Sequence, residues 1–243
     1  MSGHNKWSKI KHTKAITDAR KGKVFSKIAK TIVVAARKGG DPGMNSTLRL
    51  AIDKAKAVNM PNDNIERAIK KGTGKGKEKQ LEEITYEAYG PNGIPLMIET
   101  ITDNKNRTLS EIRHILSRNN GRLGETGSVK WMFNQKGSIE VILAEKSKDE
   151  LELAAIDAGA EDIEWKNNVL EIYTEPNDLE KVKENLEKAR IKIEDASLDW
   201  IPKNEVEIKD ESLKNQLERL FEALDENEDV NEIFSNVNPN TLS

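Results

Sequence analysis

The chain holds 243 residues, 39 of them Lys or Arg, 42 Asp or Glu and none Cys; this length suits two or three domains, and the missing Cys excludes a disulfide framework, a thiol nucleophile and Cys-ligated zinc, as in a reducing compartment. The apolar run at 32–36 is far too short to cross a bilayer, and no apolar stretch follows the basic N-terminal residues, so neither a membrane anchor nor a secretory signal is expected and the cytoplasm is the expected compartment. The net charge of −3 conceals an asymmetry: residues 1–79 carry 20 Lys and Arg against 6 Asp and Glu, and the remainder carries 19 against 36, the pattern of a polyanion-binding front joined to acidic regions.

Between residues 17 and 38 the apolar positions Phe25, Ile28, Ala29, Ile32, Ala35 and Ala36 recur at three- and four-residue spacing, which predicts an amphipathic helix. Lys23, Lys27, Lys30 and Arg37 fall on another face, and Gly39-Gly40-Asp41-Pro42-Gly43 stops the helix. A second helix is predicted over 46–58, with Leu48, Ala51, Ile52, Ala55 and Val58 inward, broken by Met60-Pro61-Asn62. The third opens with Asp63 as cap and Glu66 three residues on, a capping-box spacing, and closes at Gly72. Three such helices bury one small core. Residues 72–77 read as a Gly- and Lys-rich linker.

Beyond the linker the periodicity becomes that of strands, at 84–89 and 94–101, joined by the turn Gly90-Pro91-Asn92-Gly93. A helix over 106–118 and a third strand over 128–133 follow. From Gly137 the order is strand (138–143), helix (148–158), strands (162–165 and 169–174), helix (179–188) and strand (192–198), the βαββαβ sequence of a ferredoxin-like unit. After Pro202, a strand-like stretch at 205–208 and a helix carrying Leu213, Leu217, Leu220, Phe221 and Leu224 are too small to stand alone and should pack back on the first strands. The chain therefore reads as α+β with three domains. These are a small basic helical bundle (1–79), a discontinuous α/β middle domain (80–135 plus 203–243) and an inserted acidic ferredoxin-like βαββαβ domain (136–202).

So large a positive excess in 79 residues would repel itself without an anionic partner, and nucleic acid is the partner expected. The expected phosphate neutralisers are Lys6, Lys9, Lys11, His12, Lys14, Arg20, Lys21, Lys23, Lys27, Lys30, Arg37 and Lys38, joined by Arg67, Lys70 and Lys71. Trp7 either stacks on a base or packs on the first helix, while Phe25 falls on the buried stripe. The stretch from Thr102 through Asn104, Lys105 and Arg107 to Thr108 joins a strand to a helix N-terminus, where backbone N–H groups and two cations would hold a phosphate, unless the helix is simply capped. Arg107, His114 and Arg118 then share one helix face. Reversing charge at Lys27, Lys30 and Arg37 is expected to flatten the salt dependence of binding and leave the fold intact.

Other patterns fail. Gly72, Gly74 and Gly76 lack the spacing of a phosphate-binding loop, and Gly121, Gly124 and Gly127 follow a helix instead of opening one. Asp225, Asn227 and Asp229 resemble the start of a calcium loop, but Val230 stands where that loop needs Gly and Asn236 where it needs Glu. The three His residues, His4, His12 and His114, form no metal or nucleophile pattern, so no enzymatic activity, metal, cofactor or small-molecule substrate is expected. The central strands of the ferredoxin-like unit offer Tyr173 alone for stacking, and residues 137–202 hold 8 basic against 18 acidic residues. That unit should repel nucleic acid and either contact protein or hold the basic face in orientation. No membrane partner is expected.

The opening Gly3-His4-Asn5-Lys6-Trp7-Ser8-Lys9-Ile10-Lys11-His12 resembles the N-terminus of the YebC/PmpR family, whose mitochondrial members include the translational activator of cytochrome c oxidase I. Val33 to Pro42, Asn59 to Gly72, Thr102 to Thr108, Gly124 to Phe133 and the tail from Leu224 to Val237 are similar to that family too, and residues 138–200 are the least distinctive. The resemblance implies three domains, a basic helical N-terminus, a cytoplasmic protein and no known catalysis. It also implies a regulator of gene expression, either a transcriptional regulator that binds promoter DNA or a ribosome-associated translation factor that binds rRNA or tRNA and relieves stalling at proline-rich sequences. Asn5, where many members have Ser, is a conservative departure.

Overall fold

The computed structural model describes residues 18–74, 81–144, 146–238 and 241–242, with side chains from Lys21 onward. Helices α1 (Asp18–Ala36), α2 (Ser46–Ala57) and α3 (Asn62–Thr73) form the bundle. Their shared core contains Ile28, Ile32, Ala35, Leu48, Ala51, Ala55, Ile65 and Ala68. Full burial of Ile32 and Leu48 contributes about 1.5–3 kcal/mol each. Buried Asn45 joins two helices: its Oδ1 accepts from the Leu48 N–H to start α2, and its Nδ2 donates to the carbonyls of Ala35 and Gly39 to finish α1. At the opposite corner a Cβ on Gly72 would lie 2.4 Å from the Val33 carbonyl oxygen, so α1 and α3 meet backbone to backbone. Gly72 is thus helix interior, not linker. The expected Asp63 cap is also corrected, because α3 begins at Asn62 behind Pro61 and no side chain caps it.

The first sheet has the order β3-β1-β2-β8 and is antiparallel throughout, built from β1 (Glu82–Tyr89), β2 (Pro95–Thr102), β3 (Arg122–Leu123) and β8 (Val230–Ser235). Helices α4 (Lys105–Arg118) and α7 (Glu211–Asp225) pack on it through Ile112, Leu116, Leu217, Leu220 and Phe221. The C-terminal segment returns to this sheet, with β8 beside β2 and α7 on its face. Its central element, β8 beside β2, was not legible in the sequence. Residues 205–208 contribute one bridge, Val206 to Val237, instead of a strand.

The second sheet has the order β5-β6-β4-β7, formed by β4 (Phe133–Ile142), β5 (Asp162–Lys166), β6 (Val169–Thr174) and β7 (Asp195–Pro202). With α5 (Lys148–Ala158) and α6 (Leu179–Lys188) on one face, this is the ferredoxin-like arrangement. Two expectations are revised. Residues 128–133 form no strand of their own: Lys130–Met132 is a 3-10 turn, after which β4 runs unbroken through Gly137. The last strand lies at 195–202, later than the expected 192–198, in register with β4 from Phe133 opposite Pro202 to Glu140 opposite Asp195. Strands β4 and β7 therefore enter and leave the second sheet as one paired ribbon. At its base Met97, Val129, Phe133, Trp200 and Phe234 form a small core between the two sheets.

Candidate nucleic-acid interface

Twelve Lys and Arg lie between residues 21 and 74, and the fold divides them. Four reach carboxylates elsewhere in the chain. Lys27 Nζ binds Asp225 at 3.0 Å, Lys30 Nζ binds Asp229 at 2.8 Å, and Lys54 pairs with Glu232. Arg49 binds Glu180 at 2.8 Å and Glu184 at 3.4 Å. Lys27 and Lys30 also donate to the carbonyls of Asp225 and Glu228, and Arg37 donates to the Leu81 carbonyl at 2.5 Å. In return Lys183, almost fully buried on α6, pairs with Asp53 on α2. The acids of the later regions therefore answer part of the positive excess that the sequence assigned to an outside partner. Lys27, Lys30 and Arg37 dock the bundle onto the rest of the chain, so reversing them would disturb the fold, contrary to expectation.

Asp229 is the hub of this docking. One Oδ accepts from Lys30, and the other from Arg107 at 2.6 Å, Thr108 Oγ1 at 2.7 Å and Thr102 Oγ1 at 3.1 Å. Burial alone would raise its pKa, but the donors from Arg107, Lys30 and Thr108 prevail and lower it to about 2. Arg107 is correspondingly raised, chiefly by its hydrogen bond to Asp229.

This arrangement settles the stretch at 102–108. Asn104 caps α4 by accepting from the Arg107 N–H at 3.2 Å, and its own N–H donates to Thr102 Oγ1. Of the two cations expected to hold a phosphate there, Arg107 is engaged by an anion of the chain itself, Asp229. Arg107 also contacts Asp103 at 3.1 Å, whereas Lys105 is exposed. The adjoining cleft, about 750 Å³, is lined by Asp103, Glu111, Glu226, Glu228 and Asp229 against Lys30, Lys71 and Arg107. Its acid majority does not suit a phosphate.

The cations that stay on the surface are Lys21 and Lys23 at the start of α1, Lys38 just past its end, Lys56 on α2, and Arg67, Lys70 and Lys71 on α3. Lys70 and Lys71 stand in the last turn of α3, where the dipole favours positive charge, and Arg67 lies near its middle. Asp63 and Glu66 occupy the exposed first half. Phe25 is half-buried at the edge of the bundle core; with Ala29, Val33, Met60 and Ala68 it lines a groove of about 440 Å³ between α1 and α3, which Arg67 and Lys71 also border. Lys6, Trp7, Lys9, Lys11, His12 and Lys14 lie outside the described residues, as does the side chain of Arg20. Among the described residues no cluster of His, Asp or Glu is arranged to hold a metal, and no helix is long and apolar enough to cross a membrane.

Sequence and structure comparisons agree with this architecture. Residues 5–75 match the TACO1/YebC protein N-terminal domain, and residues 81–237 match the TACO1/YebC second and third domain. A probable transcriptional regulatory protein of Halothermothrix orenii is 51% identical over 239 residues, spanning 97% of this chain and 94% of the relative. One from Chlorobium luteolum is 50% identical over 241 residues, with 98% and 95% covered. The crystal structure of a conserved hypothetical protein from Aquifex aeolicus superposes with a TM-score of 0.86 at 46% identity, covering 95% of this chain and 96% of that one. The chain belongs to the TACO1/YebC family.

Proposed function

We propose that this chain is a non-enzymatic, cytoplasmic regulator of gene expression that binds nucleic acid through the helical bundle. The observation that carries the reading is the set of cations exposed on the bundle surface: Lys21, Lys23, Lys38, Lys56, Arg67, Lys70 and Lys71. The basic residues at 6–14 are assigned to nucleic-acid binding as well, and residues 1–79, 80–135 with 203–243, and 136–202 to three domains. The ion pairs of α2 with α6 give the acidic domain the role of orienting the bundle.

DNA is the target that the relatives' name, probable transcriptional regulatory protein, favours. A second reading, ribosomal RNA in a translation factor, draws on α3. A recognition helix reads the major groove with its N-terminal residues, and here those include Asp63 and Glu66, which repel a polyanion. Contacts from Arg67, Lys70 and Lys71 would then be to phosphate alone. The test is anisotropy titration of the full chain against duplex DNA and against an rRNA fragment over a range of salt. Binding should fall with a log–log slope of about −0.9 per neutralised phosphate on B-DNA. Failure to bind either polymer in dilute buffer overturns the proposal. Sedimentation through sucrose gradients, with and without nuclease, separates the ribosomal reading from the DNA one.

A further inference from the structure

Within the acidic remainder one stretch is basic: residues 113–139 carry Arg113, Arg118, Arg122, Lys130 and Lys136 against the single acid Glu125. Trp131 stands in it with 63% of its surface exposed. An indole left in water is ordinarily mobile or buried by a partner, yet this one is fixed. Buried Glu87 accepts from the backbone N–H groups of Gly127, Val129 and Lys130 at 2.6, 2.6 and 2.7 Å, which pins the loop from inside. Val129, fully buried, and Phe133 anchor its two sides. Trp131 Nε1 donates to the Ser128 carbonyl at 3.0 Å, so the polar handle of the ring is satisfied and its π-face is not.

Cations lie in the same region, two of them set over other rings. Tyr89 Oη donates to the same Ser128 carbonyl at 2.9 Å, and the Arg122 guanidinium lies 4.5 Å from the centre of the Tyr89 ring. Lys130 precedes the indole in sequence with its Nζ 5.3 Å from the centre of the Trp200 ring, and the backbone of exposed Lys203 is hydrogen-bonded to Met132. An exposed aromatic face with cations in the same surface region is complementary to an unpaired nucleobase and its adjoining phosphates. A base inside a duplex has no free face to offer.

We propose that Trp131 is a stacking residue for an unpaired base of single-stranded nucleic acid, with Arg122 and Lys130 holding the neighbouring phosphates. The assignment rests on the nucleic-acid reading above and adds a second contact, on the middle domain, that selects single strands. The experiment compares the full-length chain with Trp131→Ala, Trp131→Phe and an Arg122→Gln/Lys130→Gln double variant, using a short oligothymidylate and a duplex of equal length. Trp131→Ala should weaken oligothymidylate binding about fivefold or more and leave duplex binding unchanged, and Trp131→Phe should recover most of the loss. The double variant should lower the salt slope for the single strand. Indole fluorescence should be quenched by the oligonucleotide more strongly in the wild type than in Trp131→Phe.

Equal oligothymidylate affinities for wild type and Trp131→Ala overturn the assignment, which includes the case of an indole that meets a protein instead. Duplex binding then remains as evidence for the bundle surface. If neither probe binds at all, the nucleic-acid reading falls and this assignment with it.

Discussion

Helices α1 and α3 both carry cations and lie against one another, yet Lys27 and Lys30 of α1 have different surroundings from the cations of α3. On α1, Lys27 and Lys30 project between the bundle and the first sheet, where the segment from Asp225 to Asp229 supplies carboxylates and carbonyls. On α3, Arg67, Lys70 and Lys71 stand on the exposed side. The charge count of a segment therefore does not measure its appetite for an outside polyanion until the chain's own anions have been subtracted. Cations paired at a partly buried junction hold parts of the chain together, whereas those on a solvated helix face the side from which a phosphate would approach.

Replacing Asp229 by Ala strikes the docking side of that contrast hardest. Lys30, Arg107, Thr102 and Thr108 all lose an acceptor, and the loss should be about 3 kcal/mol in chemical denaturation, the low end for breaking a buried pair because Arg107 is half-exposed. Acid should make the same cut without mutation. The Asp229 pKa is depressed from 3.8 to about 2, so its contribution is complete above the unfolded value and disappears as pH falls between the two. Wild-type stability should drop there by about 2 kcal/mol more than that of Asp229→Ala, as read by denaturation at pH 5 and at pH 2.

Gly72→Ala probes the α1–α3 contact itself. The new methyl meets the Val33 carbonyl, and the forced separation should cost about 1–3 kcal/mol, visible as a lower denaturation midpoint at unchanged slope. Lys27→Glu should cost about 1 kcal/mol and leave the salt slope of nucleic-acid binding where it was. The triple variant Arg67→Glu, Lys70→Glu, Lys71→Glu should change that slope. Stability should fall by about 1–2 kcal/mol, from charge set against the helix dipole, with the fold retained, while the salt slope shrinks by about 0.9 for each phosphate contact removed. A triple variant that unfolds, or a Lys27→Glu variant that binds with a flatter slope, would erase the distinction between the two helices.

Much of the architecture was legible because it rests on local periodicity. The three bundle helices, the βαββαβ order, and the stripe Leu217, Leu220, Phe221 and Leu224 all show spacing that one face of one element dictates. What escaped detection depends on distant partners. Strand β8 has an unremarkable sequence, Val-Asn-Glu-Ile-Phe-Ser, and becomes a strand because β2 offers it an edge. Residues 128–132 looked extended, but the buried Glu87 carboxylate gathers their N–H groups into a turn. The interface was legible as a charge sum and illegible as a map. Nothing near Lys30 in sequence announces Asp229, 199 positions away. Trp131 lies in a segment whose overall charge is acidic, which masks its basic neighbours. The local basic count over 113–139 was the signal available.

The ribbon formed by β4 and β7 has a consequence for how such a molecule is assembled from parts. Phe133 and Pro202 face each other at its base, one strand spacing of about 5 Å apart. The whole ferredoxin-like lobe is thus grafted onto its host at a single doorway. A short hairpin turn in its place would close that doorway with β1, β2, β3 and β8 uncut. Loss or exchange of the lobe would then take one genetic event, and the host would forfeit the grip of α6 on α2 and the packing of Trp200 between the sheets.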